Sequence, residues 1–295
     1  MQTKRDVVIK TTSQGLDMAP ELRWKAAVEA GGRGEYAAAL TELARLGEDV
    51  RSAHGSMPRG PGAAALLSLC RSTTASLLRQ GGRHDLSLGL DGLAFATVAG
   101  IDPAPGGETG VDPVRAARAD ALIGLAADNL GLLRFGASAR VLDRARSLLS
   151  DPAEDWVSAP PVDWPTHGRC RLRWEWVSAE LGLYSGDVAA GLAHAEAGDL
   201  LVRHLSDTSD VPARHRVKTS LIHAAALAGV GEVEASAARA RNVVVDAGEH
   251  GLLPLEWAGL SLLTGMVAAS DSEENRHRDL RATLIGKGMA LMPEG

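Results

Sequence analysis

The feature that most restricts the fold of this 295-residue chain is a recurring pair: two helix-length amphipathic stretches joined by a tight turn. The turns are Gly31-Gly32-Arg33-Gly34, Gly81-Gly82-Arg83, Phe135-Gly136, Ser185-Gly186 and Gly229-Val230-Gly231, at intervals of about 45–54 residues. A link that short leaves consecutive helices only antiparallel contact. Longer connections rich in Gly, Pro or Asp (55–61, 101–112, 151–165 and 206–210) fall between the pairs.

Spacing of apolar residues predicts helices over 18–31, 34–54, 62–80, 84–99, 113–134, 137–150, 166–185, 187–205, 211–229, 232–249, 253–269 and 272–291. Cys170, Trp174, Val177, Leu181 and Tyr184 follow steps of four and three, one face of an α-helix. Val217, Leu221, Ala224 and Ala228 repeat the pattern, and Ser270 with Glu273 stands at capping-box spacing. The 49 Ala and 40 Leu favour helices and close helix approach, while 3% aromatic content and the lack of alternating β-branched runs exclude a sandwich or barrel. The fold class expected is all-α. Six antiparallel hairpins in series form an α-solenoid, each pair burying its apolar stripe on the next. Residues 1–16 read as an extended or disordered arm before a single domain over 17–295.

Three of the turns carry a family likeness. Gly34-Glu35-Tyr36-Ala37-Ala38-Ala39-Leu40 resembles the turn and second-helix start of tetratricopeptide repeats. Gly186-Asp187-Val188, preceded by Leu181-Gly182, and Gly231-Glu232-Val233, with Ser236 and Ala240 following, are weaker copies. The period exceeds the family's repeat, and the proline that ends each repeat is mostly missing. The resemblance, covering 17–292, implies a divergent right-handed superhelix that holds peptides or proteins on a concave side lined by the first helix of each pair.

Charge segregates along the same lines. First helices with their turns sum to +6 and second helices to −7, in a chain of net charge −6. If first helices line the hollow, an acidic protein carries a basic groove that concentrates field on a complementary ligand. The candidate partner-binding residues are Arg71, Arg115, Arg118, Asn129, Arg169, Arg173, Trp176, Arg214, Arg216 and Lys218. The ligand expected is another protein or an acidic peptide, through its side chains or a terminal carboxylate.

Other chemistries find less support. His84-Asp85, with His54 and Asp120, is the residue set from which a metal-dependent phosphohydrolase would be built. His167 and Cys170 have ligand-like spacing but no second pair to complete a tetrahedron. Arg214-His215-Arg216 reads as a helix start rather than a phosphate clamp. Gly31–Gly34 lacks the lysine and Ser/Thr of a phosphate loop. No cofactor and no catalytic residue is expected. Acidic charge argues against direct nucleic-acid binding. A ligand-sensing role beside a transcription regulator would need a partner chain, since no DNA-reading helix-turn-helix stands out. Cys70 and Cys170 read as buried free thiols. Arg outnumbers Lys 26 to 5, as a GC-rich bacterial genome would dictate. No run suits a membrane span or a secretory signal, so the cytoplasm is the expected compartment. Trp156 and Trp164 are expected to pin their Pro-rich connection on a neighbouring hairpin. The terminal helix, with Leu280, Leu284, Met289 and Leu291, is positioned to cap the solenoid or to form a homodimer.

Overall fold

The computed structural model describes residues 18–54, 60–102, 112–149, 164–208, 211–267 and 269–292. The expected arm and Trp156 lie outside these residues, as does the side chain of His54. Among the described residues there are twelve α-helices and no strand. In chain order they are α1 (Pro20–Gly32), α2 (Tyr36–His54), α3 (Pro61–Gln80), α4 (His84–Ala99), α5 (Pro113–Gly131) and α6 (Phe135–Leu149). They continue with α7 (Arg169–Ser185), α8 (Val188–Thr208), α9 (Ala213–Gly229), α10 (Val233–Glu249), α11 (Leu253–Met266) and α12 (Asp271–Gly286). A π-helical turn, Trp164–Gly168, leads into α7. No helix among the described residues is long and apolar enough to cross a membrane.

Helix starts follow the local chemistry. Pro20, Pro61 and Pro113 each open a helix, where the missing N–H costs nothing. The Asp112 carboxylate accepts from Val114 N at 2.9 Å, and Ser270 and Glu273 close the expected capping box. Four of the hairpin turns place a glycine in the left-handed region: Gly34, Gly82, Gly186 and Gly231. The third differs from expectation. Leu133 takes the left-handed position at φ 58°, so the turn precedes Phe135, and Gly136 lies inside α6. A Leu there costs roughly 1–2 kcal/mol relative to right-handed backbone, and without a glycine to mark it the turn reads two residues late.

Each first helix packs on its own partner and on the next first helix, giving a continuous row α1–α3–α5–α7–α9–α11. In a curved stack the inner layer is the crowded one, so this row is the inner wall. The close approach is made by small residues. Ala64, Ala65, Ala117, Ala119, Ala121 and Ala126 are all buried. Cys70 and Cys170 are free thiols buried in the same layers, and burial pushes Cys70 up to about 12.

The stack does not remain open. Leu284 and Met289 enter the core built by Ala27, Tyr36, Leu43, Leu46 and Leu77, with Leu253, Trp257 and Leu291 packed against it. Ala37 N–H donates to Lys287 O, and Met292 N–H donates to Gly81 O, each at 2.9 Å. The sixth pair therefore meets the first, and the inner wall closes within one turn. The predicted helix over 272–291 stops at Gly286 because Gly288, at φ 95°, turns the chain across the first two hairpins. Leu280 and Leu284 are fully buried within the chain, so the apolar stripe of α12 is used as an internal cap.

Candidate functional site

The inner wall gathers charge on α7 and α9. Arg169 and Arg173 lie one turn apart on α7, as Arg214 and Lys218 do on α9. Asp120, on α5, accepts from Arg169 Nη1 with both oxygens, at 3.1 and 3.2 Å, and from Arg173 Nη1. One carboxylate thus stands between two guanidinium groups. Arg214 is different: it is half-buried and, among the described residues, has neither a hydrogen-bond nor an ion-pair partner. Its Cδ packs so closely on Gly32 that a Cβ there would lie 2.9 Å away. Burial, followed by the charge of Arg169, pushes Arg214 down to about 10, and burial and Arg79 do the same to Arg173. A guanidinium does not lose its proton in a protein, so these shifts register how crowded with positive charge the place is.

His215, the next residue on α9, reports the same field. It is 6% exposed, and neither ring nitrogen has a partner. Trp164 meets it edge-on at 4.7 Å, and Trp176 stacks on it at 5.8 Å. Burial, then Arg214, Arg169 and Arg173, hold its pKa well below the ordinary imidazole value, so it is neutral at pH 7. Trp176 also donates from Nε1 to Thr219 Oγ1 at 3.0 Å, which fixes it between α7 and α9.

A second charged cluster adjoins the first and was not among the expected site residues. Arg79 donates from Nε to Asp128 Oδ1 at 2.7 Å and from Nη2 to Asp91. Ser87 Oγ donates to the same Asp128 oxygen at 2.5 Å. Both carboxylates are fully buried, and Asp91 sits over Gly124, where a Cβ would fall 2.3 Å from its Oδ2. Burial pushes Asp91 up to about 8 against the pull of Arg79. Burial also opposes ionisation of Asp128, but His84, Arg79 and Ser87 together hold it down. The pair therefore keeps one proton at neutral pH, on Asp91. The sequence held a signal for this: Asp120, Gly124 and Asp128 follow at steps of four on a first helix, one stripe of two acids with a gap.

The proton on Asp91 has a measurable consequence. Its folded pKa lies above the unfolded value, so the native state carries a proton the unfolded chain has lost, and stability falls as pH rises toward 8. His215 and Asp128 shift the other way, but their contributions are complete below about pH 7. Between pH 7 and 9 the urea midpoint should therefore fall, then level off, and Asp91→Asn should flatten that fall. An equal slope in the variant would contradict the assignment.

The remaining expected site residues serve the scaffold. Arg71 donates to Leu93 O at 3.2 Å and to Thr97 Oγ1. Arg118 donates to Val98 O at 2.6 Å and Ile101 O at 2.7 Å, and Arg115 donates to Leu148 O. Arg118 and Arg115 thereby hold carbonyls at the C-terminal ends of α4 and α6, the ends a helix dipole makes negative, while Arg71 braces the middle of α4. Asn129 donates to Leu125 O in its own helix at 2.8 Å, and Arg216 donates to Val211 O. Lys218 pairs with Glu180 at 3.3 Å across α9 and α7. Of the ten, Arg169, Arg173, Trp176, Arg214 and Lys218 share the α7–α9 surface. The other five are committed to backbone carbonyls.

The residues of the metal alternative are not brought together. His84 Nδ1 lies 3.7 Å from Asp128, Asp85 turns to Arg83 at 2.9 and 3.0 Å, and Asp120 belongs to Arg169 and Arg173. His167 meets Leu149 O at 2.6 Å, while the Cys170 thiol faces Ala116 O. No three His, Cys, Asp or Glu among the described residues form a metal cage.

Fold and site together define an all-helical protein of stacked hairpins with a charged inner wall. No protein-family model matches the sequence, and no curated protein matches it. Among solved structures it is similar to Nro1, described as a hypoxic regulator of sterol synthesis that is a nuclear import adaptor. The TM-score is 0.41 at 13% identity, over 93% of this chain and 89% of that one. At that score the likeness carries no weight for function, and the chain's own geometry must do so.

Proposed function

We propose that this protein is a non-enzymatic binding module that holds an acidic segment of a partner protein against the α7–α9 part of its inner wall. The observation that supports this is Arg214: a half-buried cation with no counter-ion among the described residues, near two guanidinium groups that share one carboxylate. Folding has gained nothing from desolvating that charge, and a carboxylate-bearing ligand would supply the missing partner. A local excess of positive charge on that part of the wall also draws such a ligand in and speeds its arrival. Closure of the stack favours binding further, because a wall already fixed in place loses little entropy on docking.

Hexaglutamate is a suitable probe, with hexaglutamine as the uncharged control and the fluorescence of Trp164 and Trp176 as readout. Binding of hexaglutamate alone is expected, weakening as salt rises from 20 to 150 mM. Reversing Arg169 and Arg173 together to Glu should lower affinity by at least tenfold. Arg214→Glu should do the same without breaking an existing ion pair. Unchanged affinity in Arg214→Glu, or equal binding of hexaglutamine, would overturn the proposal.

A further inference from the structure

The first hairpin turn, Gly31-Gly32-Arg33-Gly34, touches far more of the stack than a link between two helices needs to. Each of its glycines stands against a different element, where a side chain would not fit. A Cβ on Gly31 would fall 2.5 Å from Leu77 Cδ2 on α3. One on Gly34 would fall 2.6 Å from Leu284 Cδ2 on α12 and 3.5 Å from Pro254 Cδ on α11. One on Gly32 would fall 2.9 Å from Arg214 Cδ on α9 and 3.8 Å from Leu252 Cδ2, just before α11. Gly34 N–H donates to Gly31 O at 3.0 Å and Glu35 N–H to Ala30 O at 2.9 Å, so the turn is held as one piece. Tyr36 donates to Gln80 Oε1 at 2.9 Å and ties that piece to the residue before Gly81, on which Met292 closes.

A single piece of backbone therefore touches both the seam, where the sixth pair meets the first, and the stem of Arg214. Resting on the binding role proposed above, we infer that this turn couples the α7–α9 site to closure of the stack. An acidic segment held by Arg214 and the C-terminal strap 287–292 favour the same closed arrangement, and each strengthens the other. The contact that distinguishes the two arrangements is the seat of Arg214 on Gly32, present when the seam is closed and lost when hairpin 1 swings away. An arginine free to rotate must be ordered by its ligand, whereas one already seated need not be. Such coupling is reciprocal: a ligand that binds the closed form better also holds the seam shut.

Hexaglutamate is the probe, and amide exchange at Ala37 and Met292 reports the seam in the full chain. Saturating hexaglutamate should slow both amides by about fivefold or more, the lower end of ordinary coupling between sites. Hexaglutamine should leave them unchanged. Gly81→Val, in which the strap lifts, should bind hexaglutamate more weakly by a similar factor. Gly32→Ala displaces only the flexible stem of Arg214, so exchange at Ala37 and Met292 in the ligand-free protein should stay as in the wild type. Its affinity should fall, and bound hexaglutamate should no longer slow the two amides. Unchanged exchange at Ala37 and Met292 in the bound wild-type protein would overturn the coupling and leave the acidic-segment role standing. So would wild-type or tighter affinity in Gly81→Val. If Gly81→Val does not fold, the exchange measurement on the wild-type chain decides alone. Failure of hexaglutamate to bind at all would remove the binding role and this inference with it.

Discussion

Asp120→Ala is expected to destabilise the protein by about 3–5 kcal/mol, the scale seen when one member of a buried ion pair is removed. Asp120 is 3% exposed and is the acceptor shared by Arg169 and Arg173, whose side chains are only 14% and 16% exposed. Without it, Arg173 would lose its carboxylate partner in a place where Arg79 and Arg214 already act against its charge. Arg173 and Arg214 are held on α7 and α9, which are packed and unable to splay. The loss should be recovered in part by added sulfate, because an anion beside Arg173 takes the place of the missing carboxylate. Chemical denaturation with and without 20 mM sulfate measures both effects. A loss below about 1 kcal/mol would mean that the two arginines reach solvent and that the inner wall is not a charged, desolvated surface.

The second large effect concerns closure. A Cβ on Gly81 would lie 2.0 Å from Ala290 O and 2.7 Å from Ala290 C, both backbone atoms that cannot rotate away. Gly81 itself has φ −90°, a conformation open to any residue, so the cost of Gly81→Val comes from contact alone. The segment 287–292 must lift off, losing the Met292–Gly81 hydrogen bond and the burial of Met289 and Leu291. The expected destabilisation is about 2–4 kcal/mol, from one hydrogen bond and two apolar side chains. Amide exchange should accelerate at Met292 and Ala37 while the amides of α5 to α9 keep their protection. Gly89, with nothing within 4 Å of its Cβ position, supplies the control: Gly89→Ala in mid-helix should be neutral or slightly stabilising. Uniform loss of protection in Gly81→Val would show that closure is not a local contact but a condition for folding the whole chain.

Much of this architecture was legible in the sequence, because helices announce themselves by period and turns by glycine. All twelve helices lie where apolar spacing puts them, and four of the five hairpin turns lie where glycine marks them. The fifth misled for a physical reason: Leu133 accepts a backbone that glycine normally takes, while Gly136 merely sits in a helix. Closure was not legible, since the contacts of Lys287 with Ala37 and of Met292 with Gly81 run through backbone atoms more than two hundred residues apart and have no local pattern. The site was half legible. Charge sums place cations on first helices, but they cannot say whether an arginine faces the hollow or reaches sideways to a neighbouring helix, as Arg71, Arg115 and Arg118 do. They also conceal acids within a positive total. Asp128 compensates Arg79, and Asp120 stands between Arg169 and Arg173, so the wall is positive through its imbalance at Arg214 and not through a continuous basic surface.

The most direct test of the central claim reads the arginine side chains themselves. In the Nε–Hε spectrum of the full protein, hexaglutamate added at 50 mM salt should shift the signals of Arg173 and Arg214 first, and raising salt to 300 mM should reverse both shifts. Exposed arginines of the outer helices, such as Arg140 and Arg203, should stay where they are. Shifts confined to those outer arginines, with Arg173 and Arg214 unmoved, would place recognition on the convex face and contradict the account.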